Sequence, residues 1–148
     1  MVNASFWRKL WSLKLPGKIV HFIWRACRLY SPTAVDLKSK HVTIESSCSW
    51  CHNYEENGIH VLFDCVFAKS GWEAVSLSNL IQYGPNDNMF DVFVIIFAQC
   101  TRDQAAAVTL FCWNIWNRRN KWIWENINMS VYGTKAASTK LLEDWKSA

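Results

Sequence analysis

Six cysteines and four histidines are spread along 148 residues, yet three of the cysteines and two of the histidines crowd into the stretch from Cys48 to Cys65. Cys48 and Cys51 are two residues apart, the spacing at which a tight turn aims two thiols at one ion. His60 and Cys65 follow, and the intervening Asn53 to Gly58 is polar and turn-prone, which lets the two ligand pairs fold back on each other. Three thiolates and one imidazole are a standard tetrahedral complement for Zn2+, so Cys48, Cys51, His60 and Cys65 are the expected metal ligands. His52 competes for the fourth place, but it follows Cys51 directly and adjacent residues tend to point apart, which favours His60. A separation of five residues puts His60 and Cys65 about 140° apart on a regular helix. One of them must therefore sit at or beyond a helix end.

Four strong protein ligands leave no open position for an activated water, so the expected centre is structural and not catalytic. A zinc deaminase would need His-x-Glu followed by Pro-Cys-x-x-Cys. Here His41 is four residues from Glu45 and Ser47 stands where the proline should be. Walker loops, dinucleotide fingerprints and nucleophile elbows are missing. Asp87 and Asp91 read as solvated loop-edge carboxylates. No enzyme is expected, and no catalytic residue is assigned.

The elements that must position these ligands read as helices. Phe6, Trp7, Leu10, Trp11 and Leu13 recur at spacings of three and four, predicting a helix that stops near Leu15 before Pro16 and Gly17. A second runs from about Lys18 to Leu29, with Ile19, Phe22, Ile23, Ala26 and Cys27 on one side, so Cys27 reads as a small core residue. A break at Ser31 to Thr33 precedes a short helix through Leu37, and Val42 to Ile44 make a short strand. Val61 to Leu77 is helical with an interruption near Gly71. Gly84-Pro85-Asn86-Asp87-Asn88 is the strongest loop signal. Phe90 to Ala98 is an apolar helix, Thr101 and Gln104 form a capping box, and a long helix follows to about Asn126. Gly133 separates it from a last helix ending at Trp145. The expected fold is mostly α: a small helical domain with a central CCHC zinc knuckle at 1–80, a linker at 81–88, and a helical, hairpin-like half at 89–148.

Composition narrows the function. Half the residues (51%) are hydrophobic, 15% are aromatic and ten are Trp, so the chain folds, and some Trp rings should lie on surface that a partner covers. The uncharged apolar runs Val92 to Thr101 and Gln104 to Asn117 are shorter than the ~20 residues a membrane span needs. Arg8 and Lys9 interrupt the first apolar stretch, which excludes a signal peptide. An intracellular protein, nuclear or cytoplasmic and not secreted, is expected, with its cysteines as thiols or metal ligands. The net charge of +4 is uneven: residues 1–47 carry eight Lys/Arg against two acids. Arg8, Lys9, Lys14, Lys18, Arg25 and Arg28, with Trp24 for stacking, are therefore candidates for contacting RNA or DNA. The competing reading makes them the solvated faces of two amphipathic helices.

A family resemblance rests on these same residues. Trp7, Leu10, Trp11, Leu15-Pro16-Gly17-Lys18-Ile19, Phe22-Ile23-Trp24-Arg25, Pro32-Thr33, Leu37, Cys48, Cys51, Glu55, His60, Leu62-Phe63, Cys65, Ala68 and Trp72 resemble the zinc-binding domain found downstream of the reverse transcriptase in plant LINE-type (non-LTR) retrotransposons. The resemblance implies zinc ligation by Cys48, Cys51, His60 and Cys65. Where the family has Leu-Pro-Thr, this chain has Tyr30-Ser31-Pro32-Thr33. The run Trp113-Asn-Ile-Trp116-Asn-Arg-Arg119-Asn120 with Trp124-Glu125 looks like the connecting helix before a ribonuclease H domain. Neither a polymerase palm nor ribonuclease H carboxylates accompany these motifs, so a retrotransposon-derived fragment without its parent's activity is expected. Its partners are then nucleic acid, or the protein domains of the parent polyprotein.

Overall fold

A computed structural model describes residues 3–28, 33 and 46–147; the short helix expected through Leu37 and the strand at Val42 to Ile44 lie outside the described residues. The first helix, α1 (Ala4–Trp11), is opened by Asn3, whose Oδ1 accepts the Phe6 N–H at 3.0 Å. It closes sooner than the apolar spacing predicts, because the Ser12 hydroxyl donates to the Lys9 carbonyl and the chain tightens into a turn. Pro16 then opens α2 (Gly17–Cys27): its carbonyl accepts the Ile19 N–H, and its own missing N–H costs nothing at a helix start.

Past the knuckle, a π-helical turn (His60–Asp64) leads into α3 (Val66–Ala74), so the break falls at Cys65 and not near Gly71. Gly71 is buried inside α3 because Phe111 presses on it; a Cβ there would come within 2.8 Å of the ring. Helix α3 ends in a Schellman motif, with Leu77 donating to Trp72 and Ser76 to Glu73, and Ser76 takes the left-handed conformation at φ 61°. A short 3-10 turn (Ser78–Leu80) and an irregular connection follow.

Helix α4 (Met89–Gln99) is opened by a capping box that the sequence reading missed, in which Asn88 and Asp91 each satisfy the other's backbone N–H. Asp91 is thus a cap, and Asp87 accepts the Gly84 N–H. Helix α5 (Arg102–Glu125) begins at the expected Thr101–Gln104 capping box and ends at Asn126, a left-handed residue. Helix α6 (Val131–Ser147) runs through Gly133, which sits in its first turn and donates to the Ser130 hydroxyl. The separation therefore lies at Asn126 to Ser130.

Helices α5 and α6 pack as a hairpin, α3 lies against α6, and α2 crosses α5. Helix α1 docks on α4 through Phe6 and Trp7, the latter stacked on Phe90 at 5.6 Å. One apolar core joins residues on both sides of the 81–88 connection, including Phe22, Phe63, Trp72, Phe93, Phe97 and Phe111. Trp72 lies at its centre, 5.0 Å from Phe111 and 5.9 Å from Phe63 between ring centroids. Its indole N–H donates to the Leu62 carbonyl at 2.8 Å and so satisfies a group of the π turn. Among the described residues no helix is long and apolar enough to cross a membrane.

Candidate metal centre

The knuckle is built from a single antiparallel bridge between Ser47 and Glu55. Two backbone bonds, Glu56 to Ser46 and Cys48 to Tyr54, both 2.8 Å, clamp its ends. Between them the chain turns back with the His52 N–H donating to the Cys48 carbonyl, and His52 itself at φ 59°. This tight turn sets Cys48 and Cys51 side by side.

His60 and Cys65 meet through the π turn. Its i to i+5 bond, Cys65 N–H to the His60 carbonyl at 2.8 Å, brings residues five apart onto one side, which a regular helix cannot do. Cys65 then leaves the helical conformation, at ψ 145°, and opens α3. Asn57 holds the start of the turn by accepting the His60 N–H at 2.8 Å. The requirement that one ligand sit at a helix end is met by Cys65.

The structure brings all four expected ligands together, with every pair of ligand atoms within 4.8 Å. The Cys48 and Cys65 sulfurs are 3.9 Å apart, and the Cys51 sulfur is 3.3 Å from His60 Nε2. A tetrahedral zinc with Zn–S of ~2.3 Å and Zn–N of ~2.0 Å requires S–S and S–N separations of about 3.8 and 3.5 Å. The group fits. His52 is exposed and lies outside it. The Cys65 thiol, by hydrogen bonding, holds Cys48 well below the ordinary thiol range, and the same bond pushes Cys65 up. The remaining thiols are shielded: burial pushes Cys27 up to about 12 and raises Cys100 and Cys112 as well. Cys27 packs against the core as expected.

The walls of the centre come from α5, which sequence reasoning did not connect to it. Glu56, buried in the knuckle at 1% exposure, forms a two-pronged ion pair with Arg119. The Trp122 indole donates to the Ser49 carbonyl at 3.2 Å, and its ring meets Trp50 edge-on at 5.4 Å. Arg118 inserts its guanidinium between the rings of Trp50 and Phe67. Burial lowers Arg118 to about 10, opposed by the Cys65 and Cys48 sulfurs, so it stays charged at neutral pH. A signal for this was present. Val108, Cys112, Ile115, Arg119 and Trp122 follow one another at spacings of three and four, so Arg119 falls on the buried stripe of α5.

The basic residues are divided. Arg8, Lys14, Lys18, Arg25 and Arg28 are exposed on or beside α1 and α2. Lys9 is turned inward, its ammonium donating to the Phe97 carbonyl at 2.7 Å and to that of Cys100 at the end of α4. It is thereby withdrawn from the candidate nucleic-acid face. Trp24 is half-buried, 6.5 Å from the ring of His21 and under the Arg28 guanidinium at 5.2 Å. Trp11 lies on the far side of His21 at 5.4 Å.

No solved structure matches the chain. A protein of Arabidopsis thaliana, named among the ribonuclease H proteins, is 28% identical over 72 residues, which are 49% of this chain and 12% of that protein. The chain thus aligns with about an eighth of its relative's length. Residues 2–72, which contain all four clustered ligands, match the family described as zinc-binding in reverse transcriptase.

Proposed function

We propose that the chain is a non-catalytic zinc-binding module from a LINE-type, plant retrotransposon-derived reverse transcriptase, holding one Zn2+ on Cys48, Cys51, His60 and Cys65 and contacting RNA or DNA through the basic faces of α1 and α2. The observation that carries the metal reading is the four ligand atoms gathered within 4.8 Å of one another, with the Cys48–Cys65 and Cys51–His60 pairs close to the separations a tetrahedral zinc requires. When bound, zinc supplies a cross-link between the knuckle and the π turn. With four protein ligands it offers no position for substrate or water, which supports a structural and not a catalytic role for the metal. Six free cysteines fit a reducing compartment, nuclear or cytoplasmic.

The nucleic-acid reading is supported by a ladder of Trp11, His21, Trp24 and Arg28 along α1 and α2, flanked by Lys18 and Arg25. Aromatic platforms interleaved with cations suit single strands, with bases stacking and phosphates pairing. A second reading, a protein-interaction module, is favoured by Trp124 and Tyr132, which are 61% and 77% exposed and lie away from that ladder in sequence. Titration of labelled RNA and DNA against purified, zinc-loaded protein separates the two. Phosphate contact gives binding that falls steeply with salt, whereas no binding at ~50 mM salt hands the surface to a protein partner.

A further inference from the structure

Arg118 is 4% exposed, and its guanidinium carbon lies 3.8 Å from the ring centre of Trp50 and 3.7 Å from that of Phe67. Both rings belong to ligand-bearing segments: Trp50 lies between Cys48 and Cys51, and Phe67 is two residues past Cys65. The Nη2 atom is shut off from solvent and has no hydrogen-bond partner, while Nε reaches only the Met129 carbonyl, at 3.4 Å. Among the described residues no carboxylate pairs with it, and Glu56, the buried acid of the knuckle, is engaged by Arg119. Cation–π contact with two rings set nearly at right angles offsets part of the cost of burying this cation, but a guanidinium in such a place still calls for an anion. Three thiolates and a neutral imidazole around a divalent ion carry a net charge of minus one, in a medium where charges attract strongly.

We propose that Arg118 is the counter-cation of the metal centre, a positioning residue whose charge balances the net negative charge that the centre has when loaded. The inference rests on the Cys3His reading. It places an essential part of the site outside residues 2–72, on a helix that the family match does not reach.

The test uses the full chain and compares zinc affinity, by competition with a chromophoric chelator, in the unmodified protein, Arg118→Met and Arg118→Lys. Arg118→Met removes the charge at similar length and is expected to weaken zinc roughly 10–100-fold, the range for partners that support ligands. Arg118→Lys should recover at least half of that loss on a logarithmic scale. The metal-free melting temperature of Arg118→Met should be unchanged or raised, because a buried unpaired charge has gone. A Cys65→His background supplies the decisive control, since two thiolates and two imidazoles leave the loaded site neutral. There Arg118→Met should cost less than threefold. The proposal is overturned if Arg118→Met binds zinc within threefold of the unmodified protein, if Lys and Met lose equally, or if the loss is as large in the Cys65→His background. Should Arg118→Met fail to fold, Arg118→Gln against Arg118→Lys makes the same comparison. If the unmodified chain takes up no zinc and chelator leaves its melting temperature unmoved, the metal centre itself falls, a result distinct from all of these.

Discussion

At Cys51 and His60 the sulfur and Nε2 lie 3.3 Å apart, and each is held by backbone that allows little retreat, the knuckle turn for one and the π turn for the other. Purified protein should hold one zinc per chain, and Cys48→Ser, Cys51→Ser, His60→Ala or Cys65→Ser should each abolish tight binding. His52→Ala should leave stoichiometry unchanged, since that side chain is exposed; metal analysis of the five variants decides it. Loss of zinc through His52 would refute the fourth ligand. The Glu56–Arg119 pair sets a second test. Removing one partner leaves a buried charge, so Glu56→Ala should lose about 3–5 kcal/mol in urea unfolding, while the double change Glu56→Leu with Arg119→Met should recover most of it. The ligand set was legible because thiol and imidazole types are rare and their spacing is local. Glu56 and Arg118 were not, because each side chain is explained only by a neighbour some sixty residues away in sequence.

Helix α3 shows what an element can and cannot reveal beforehand. Apolar periodicity announced it, and Gly71 suggested an interruption, yet the chain breaks at Cys65 and uses Gly71 to let Phe111 approach. A glycine reports freedom of the backbone or a need for space, and only the opposing surface tells which. Gly71→Ala should therefore destabilise by roughly 1–3 kcal/mol through overpacking against a buried ring, measurable as a lowered urea midpoint. At the other end of α3, Ser76 occupies a left-handed position that glycine adopts at no steric cost. Ser76→Gly should be neutral or stabilise by up to about 1 kcal/mol, the reverse of a glycine placed mid-helix. Local rules located α2 after Pro16 and α5 after Thr101, because proline and the capping box act within four residues. Ser130 was overlooked as the start of α6 because Gly133, three residues on, is the louder signal and here merely donates to its hydroxyl.

For the molecule as a whole, the knuckle and α5 behave as one body. Chelation should lower the melting temperature and raise hydrogen exchange in residues 46–68, and also in the Trp116 to Trp122 stretch of α5, which grips the knuckle through Arg118, Arg119 and Trp122. Exchange confined to residues 46–72 would show the grip to be incidental. On α2, neutralising Arg25 and Arg28 together should reduce the salt slope of any nucleic-acid binding by roughly two, if both meet phosphate. The Glu56–Arg119 bond has a further consequence, one of inheritance. The loop at Gly84 to Asn88 is a natural place for a recombination breakpoint, being irregular and partly exposed. A crossover there that supplied a foreign α5 would leave Glu56 buried beside whatever residue replaced Arg119. Exchanging the metal-binding stretch or the long helix alone should therefore cost stability, and a mutation in either narrows what the other can become.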